Sequence, residues 1–163
     1  MMSMKKIIII PLLLASLITP ISWGVDFAKG LAAYESGDFA TALREWTPLA
    51  EQGDAEAQSN LGNMYLLGEG VIQNDKTAVK WYTLAAEQGD AMAQGNLAAR
   101  YAFGKGVIED YVQSHMWANI AQSNGVEGAK KLMEFLVERM TPTQIAKAKD
   151  LAQECVAKDY KGC

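Results

Sequence analysis

Cysteine and histidine are almost absent from this chain: two cysteines and a single histidine, His115, occur in 163 residues. A structural zinc site needs four Cys or His ligands, so no metal centre is expected. Basic residues are sparse too. After residue 24 the chain carries 13 basic and 19 acidic side chains, a formal charge of −6, and its one adjacent basic pair is Lys130-Lys131, with Glu127 and Glu134 close by. A polyanion partner requires clustered Lys and Arg to displace counterions, so nucleic acid is excluded as the expected partner. No apolar run reaches the ~20 residues that cross a bilayer. No strand-like alternation competes with helical spacing anywhere after residue 24.

The longest apolar run, residues 7–18, is about a dozen long, follows Lys5 and Lys6, and is interrupted by Pro11. Ser22-Trp23-Gly24 places small residues at the −3 and −1 positions of a cleavage site. The pattern reads as a secretory signal peptide over 1–24, cut after Gly24. The expected product is a periplasmic or secreted domain, 25–163, with no stable membrane anchor. In such an oxidising compartment the two cysteines, Cys155 and Cys163, are expected to form a disulfide, two free thiols being the alternative.

What the chain does contain is an internal repeat. Ala-Glu-Gln-Gly-Asp-Ala stands at 50–55 and again at 86–91, an offset of 36. At that offset Asn60-Leu61 recurs as Asn96-Leu97, Tyr65 as Tyr101, Trp81 as Trp117, and Ala85 as Ala121. Gly68-Glu69-Gly70-Val71-Ile72 recurs as Gly104-Lys105-Gly106-Val107-Ile108. Periods of 20–50 residues mark solenoids, whose units bury their apolar faces against neighbours. Helical spacing predicts eight helices, over about 26–36, 39–52, 55–67, 75–88, 91–103, 111–123, 127–140 and 142–158. Asp38, Asp54, Asn74, Asp90 and Asp110 supply caps. Gly37, Gly53, Gly68, Gly89 and Gly125 supply stops. Pro48 falls inside the second helix and should bend its last turns. Thr141-Pro142-Thr143-Gln144 is a capping box with proline at the first helical position.

These residues resemble a known repeat. Ala55-x-Ala57-Gln58-x-Asn60-Leu61-Gly62-x-x-Tyr65-x-x-Gly68-x-Gly70-Val71, followed by Ala78-x-x-Trp81-Tyr82-x-x-Ala85-Ala86-x-x-Gly89, is similar to the Sel-one-like repeat, a relative of the tetratricopeptide repeat. The next unit keeps Ala91, Ala93, Gln94, Leu97, Tyr101, Gly104, Gly106, Trp117, Ala118 and Gly125, with Ala98 in place of the helix glycine. Residues 30–43 resemble the shorter tetratricopeptide form. The resemblance implies an all-α, right-handed α-α superhelical solenoid of antiparallel helix pairs. Its units would be about 26–54, 55–90 and 91–126, with a C-terminal helical cap over 127–163.

Catalytic patterns are missing. After residue 24 no serine is followed three residues later by lysine, and Lys76-Thr77 is followed by Ala78 rather than glycine. Gly-x-Ser-x-Gly and His-Glu-x-x-His are also missing. The two Gly-x-Gly runs follow helices rather than strands, unlike phosphate loops. His115 reads as a surface or interhelix histidine, and the helical methionines read as core. A non-catalytic domain without cofactor is therefore expected, one that binds a protein or peptide. By the resemblance, the first helix of each pair lines a concave groove showing Tyr34, Glu56, Ser59, Asn63, Leu66, Leu67, Met92, Gly95 and Phe103. Two alternatives stand beside it. One is a β-lactam-binding or hydrolysing cell-wall enzyme. The other is a redox or haem-linked assembly factor using Cys155, Cys163 or His115.

Overall fold

The computed structural model of the protein describes residues 26–163; the expected signal peptide and its cleavage site lie outside the described residues. Eight helices follow one another among these: α1 (Phe27–Glu35), α2 (Phe39–Glu51), α3 (Ala55–Leu67), α4 (Asp75–Ala86), α5 (Ala91–Phe103), α6 (Tyr111–Ser123), α7 (Glu127–Val137) and α8 (Pro142–Ala157). The pairs α1–α2, α3–α4 and α5–α6 each pack together, and each pair stacks on the next through its second helix. This is the helical solenoid that the repeat implies.

Side-chain caps set the helix starts. The Asp54 carboxylate accepts the Ala57 N–H at 2.8 Å, Asp90 that of Ala93 at 2.6 Å, and Asn74 that of Thr77 at 2.9 Å. Each such acceptor satisfies one of the donors that a helix start leaves free. Pro48 sits inside α2, which nonetheless continues to Glu51. Helix α7 ends at Val137, three residues short of the span expected from the sequence, and Met140 packs instead in a small cluster with Ala102, Leu136 and Ala148.

The repeated loops are built by docking. Asn74 N–H donates to the Tyr65 carbonyl at 2.8 Å and Asp110 N–H to the Tyr101 carbonyl at 3.0 Å, the same closure one unit apart. Gly106, at φ 79°, lies against the backbone of Asp75 at the start of α4, where a Cβ would collide with the Asp75 carbonyl. Gly70 meets Phe39 at the start of α2 in the same way. Each loop therefore rests on the second helix of the preceding unit.

Inside the pairs, small residues face large ones. A Cβ on Gly62 would stand 2.5 Å from the Tyr82 ring, and one on Gly30 would stand 2.5 Å from the Trp46 indole. In the third pair both partners are small, Ala98 and Ala118, and both are fully buried. A second element of the repeat is polar. The buried Gln58 amide donates to the Ala50 carbonyl at 2.9 Å and accepts from Gln88 at 2.8 Å. Gln94 likewise donates to Ala86 at 3.3 Å and accepts from Asn124 at 2.8 Å. Each glutamine ties the end of one pair to the start of the next.

The C-terminal helices break the pattern. Both α7 and α8 pack chiefly on α6. A disulfide joins Cys155 in α8 to Cys163. It folds the tail back so that the Tyr160 ring approaches Gly89, between α4 and α5.

Candidate functional site

The first helices of successive units, α3 and α5, touch each other, and α7 touches α5. Two clefts open between them. The first, about 580 Å³, is bordered by Glu56, Ser59, Asn60 and Asn63 from α3, by Gln88, Gly89 and Asp90 from the α4–α5 junction, and by Met92. The second, about 260 Å³, runs between α5 and α7 and is lined by Gly95, Ala98, Ala99, Val126, Ala129 and Leu132, again with Met92. Met92 is 62% exposed on the ridge between them. Its thioether can swing toward either side, which suits an adaptable contact surface.

Polar groups in the wider cleft are held by local bonds. Ser59 Oγ donates to Asp90 Oδ1 at 3.1 Å, and that same carboxylate caps α5. Tyr82 Oη donates to Asn63 Oδ1 at 2.7 Å, and Asn96 Nδ2 donates to the same oxygen at 3.3 Å. Burial pushes the Tyr82 phenol well above its ordinary pKa, so it stays a donor. Two donors on one oxygen thereby fix the Asn63 amide at the border of the cleft. Donor and acceptor groups at fixed positions next to an apolar slot can take up both the backbone and the side chains of an extended segment.

Five of the nine groove residues expected from the sequence, Glu56, Ser59, Asn63, Met92 and Gly95, border these two clefts. The other four do not. Leu66 packs on the central core. Leu67 and Phe103 are exposed at the far ends of α3 and α5, where the Phe103 ring meets Phe135 at 5.6 Å. Tyr34 belongs to the N-terminal cluster, its ring 5.5 Å from both Phe39 and Trp46. Its hydroxyl donates to Glu69 Oε2 at 2.7 Å, and that bond, aided by burial, raises its pKa to about 12. Sequence reasoning missed Asn60, Asn96, Val126, Ala129 and Leu132. Asn60 and Asn96 repeat and so passed for packing residues, and the other three lie in or beside the less regular cap. Ile72 and Ile108 also repeat without packing, being 91% and 90% exposed on equivalent loops.

His115, in α6, is enclosed at 1% exposure, and its Nδ1 has no hydrogen-bond partner among the described residues. Burial, with the charge of Lys149 second, lowers its pKa. An imidazole in that position is not offered to a haem, and the two cysteines are bonded to each other. Among the described residues no group of three or more His, Cys, Asp and Glu is placed to hold a metal ion, and no helix is long and apolar enough to cross a membrane.

A family model for the Sel1 repeat matches residues 55–90 and 91–126. Among solved structures, the chain is similar to a protective antigen with an SLR fold present in uropathogenic Escherichia coli strains, at 29% identity and a TM-score of 0.74 over 80% of this chain. It is also similar to a Sel1 repeat protein from Oxalobacter formigenes, at 28% identity and a TM-score of 0.66 over 79% of this chain. The chain spans 30% of the first protein's length and 55% of the second's. No curated protein sequence matches it. Sel1 repeat proteins are generally protein-interaction scaffolds and typically non-catalytic. The matching units and the shared helical stack together show that residues 55–126 of this chain are two Sel1-like repeats within a helical solenoid.

Proposed function

We propose that this protein is a non-catalytic adaptor that holds a segment of a partner protein in the groove formed by α3, α5 and α7. One observation supports the reading: two clefts of different character adjoin along α5 and share the exposed Met92. Exposed methionine beside fixed amides is what a surface for an extended segment requires. With two full repeats the groove is short and accommodates one short segment rather than a whole domain.

An exported location accompanies this reading. The disulfide between Cys155 and Cys163 is chemistry of an oxidising compartment, and the signal-like residues 1–24 precede the domain. Capture from a periplasmic extract tests the proposal. Met92→Asp, at an exposed position, should remove the partner band while the circular dichroism spectrum stays unchanged. Leu84→Asp, on exposed α4 surface outside both clefts, should leave the band in place. Equal loss in both variants, or in neither, rejects the groove.

A further inference from the structure

The two clefts differ in charge as well as polarity. Glu56 and Asp90 border the wider cleft, and neither cleft has a lysine or arginine in its lining. The starts of α3 and α5 also point there. A helix N-terminus carries about half a positive charge, so two of them offset roughly one of the two carboxylate charges and leave the cleft negative. Glu56 is exposed in the first turn of α3, and among the described residues no side-chain hydrogen bond or ion pair involves it. Among the described residues the lining of the narrower cleft carries no charge: Ala98, Ala99, Val126, Ala129 and Leu132 wall it, with the amide of Asn96.

We infer that the groove selects a segment carrying a cationic side chain about three residues from an apolar one, the cation seated beside Glu56 and the apolar group between α5 and α7. This inference rests on the groove reading above and specifies its ligand. The spacing follows from geometry. The two clefts flank α5, and a helix with its side chains is about 10–12 Å across, so the clefts are separated by about that distance. An extended chain advances about 3.3 Å per residue, which places the two anchors about three residues apart. An anionic segment is disfavoured by the same field, and a purely apolar one would leave Glu56 desolvated without a partner.

The test is selection from a phage-displayed library of random heptapeptides against residues 25–163, followed by fluorescence anisotropy on the enriched peptides. Enrichment of Lys or Arg two to four residues from Leu, Ile, Met or Phe is expected. Binding should weaken about fivefold in Glu56→Gln, as suits an exposed charge pair. It should weaken further in Glu56→Lys, whose own selection should turn to peptides with Asp or Glu at the cationic position. Peptides that lack a cation, yet are lost with Met92→Asp, overturn the ligand assignment and leave the groove reading standing. Peptides that ignore both Glu56→Lys and Met92→Asp, or no enriched peptide at all, overturn the two together.

Discussion

Single residues account for much of this fold through contacts that admit no larger atom. Gly62 is the clearest, since a methyl there would press into the Tyr82 ring. Gly62→Ala is expected to cost about 1–3 kcal/mol, the usual range for forcing an atom into a packed core, read by urea denaturation. In a Tyr82→Ala background the same substitution should cost little, because Ala98 and Ala118 already form that small–small pair one unit later. Equal costs in both backgrounds would show that the ring is not what excludes the methyl. The sequence reports the glycine and its replacement by Ala98, but which ring fills the space depends on how α3 and α4 meet.

The sequence left His115 as a surface or an interhelix residue; it is not on the surface but enclosed, because α7 and α8 both settle on α6, which no repeat announces. Its pKa is depressed in the folded protein, so the unfolded chain takes up a proton before the folded one does. Stability from this residue is complete above the unfolded value of about 6.5 and is lost as pH falls through the folded value. Thermal denaturation should therefore show Tm falling from pH 7.5 to pH 5.5, and His115→Met should reduce that fall. The low pKa of Glu45, held down by Lys29 with help from the Asp26 N–H and Arg44, acts in a separate and more acid window.

At the scale of elements, the caps and the 36-residue echo read almost directly into helix starts, because an Asp or Asn cap is a local interaction that needs no tertiary context. The C-terminal pair was less legible. Its helices have no repeated template, and α7 stops at Val137 because Leu136 and Met140 turn into a cluster with α8. At the other end of α8 the disulfide closes the tail onto the helix. Removing a loop closure of this length costs about 2–3 kcal/mol in the chain-entropy account. Cys155→Ser with Cys163→Ser should lower Tm by about 5–10 °C and increase proteolysis near Tyr160, which lies against Gly89 in the closed tail. An unchanged Tm would mean that the tail is held by its side chains alone.

The polar staples are a second device at this scale. The glutamines of the repeat do more than end helices: Gln58 and Gln94 bridge consecutive pairs through buried amides. Gln94→Leu removes one of the two donors to the Ala86 carbonyl, which keeps the Gly89 N–H at 3.0 Å, and the acceptor of the exposed Asn124 amide. A loss of about 0.5–1.5 kcal/mol per hydrogen bond is expected, measured by the same denaturation.

For the whole molecule, the repeat settles the stack of helix pairs, and the search for function moves to places where repetition lapses or where a repeated residue stays exposed. The two clefts illustrate both. Glu56 and Met92 break the repeat, Asn60 and Asn96 keep it, and one wall of the apolar cleft comes from Val126, the last residue of the second matched unit, and from α7 beyond it. A sequence read unit by unit cannot show that Val126, Ala129 and Leu132 complete a cleft begun by Gly95, because that requires the placement of α7.

The measurement that bears most directly on the groove is photo-crosslinking in the native compartment, with a benzophenone amino acid placed at residue 92 or at residue 84. The account expects a discrete crosslinked partner from position 92 and none from position 84. A partner captured from position 84 and not from 92 would contradict it.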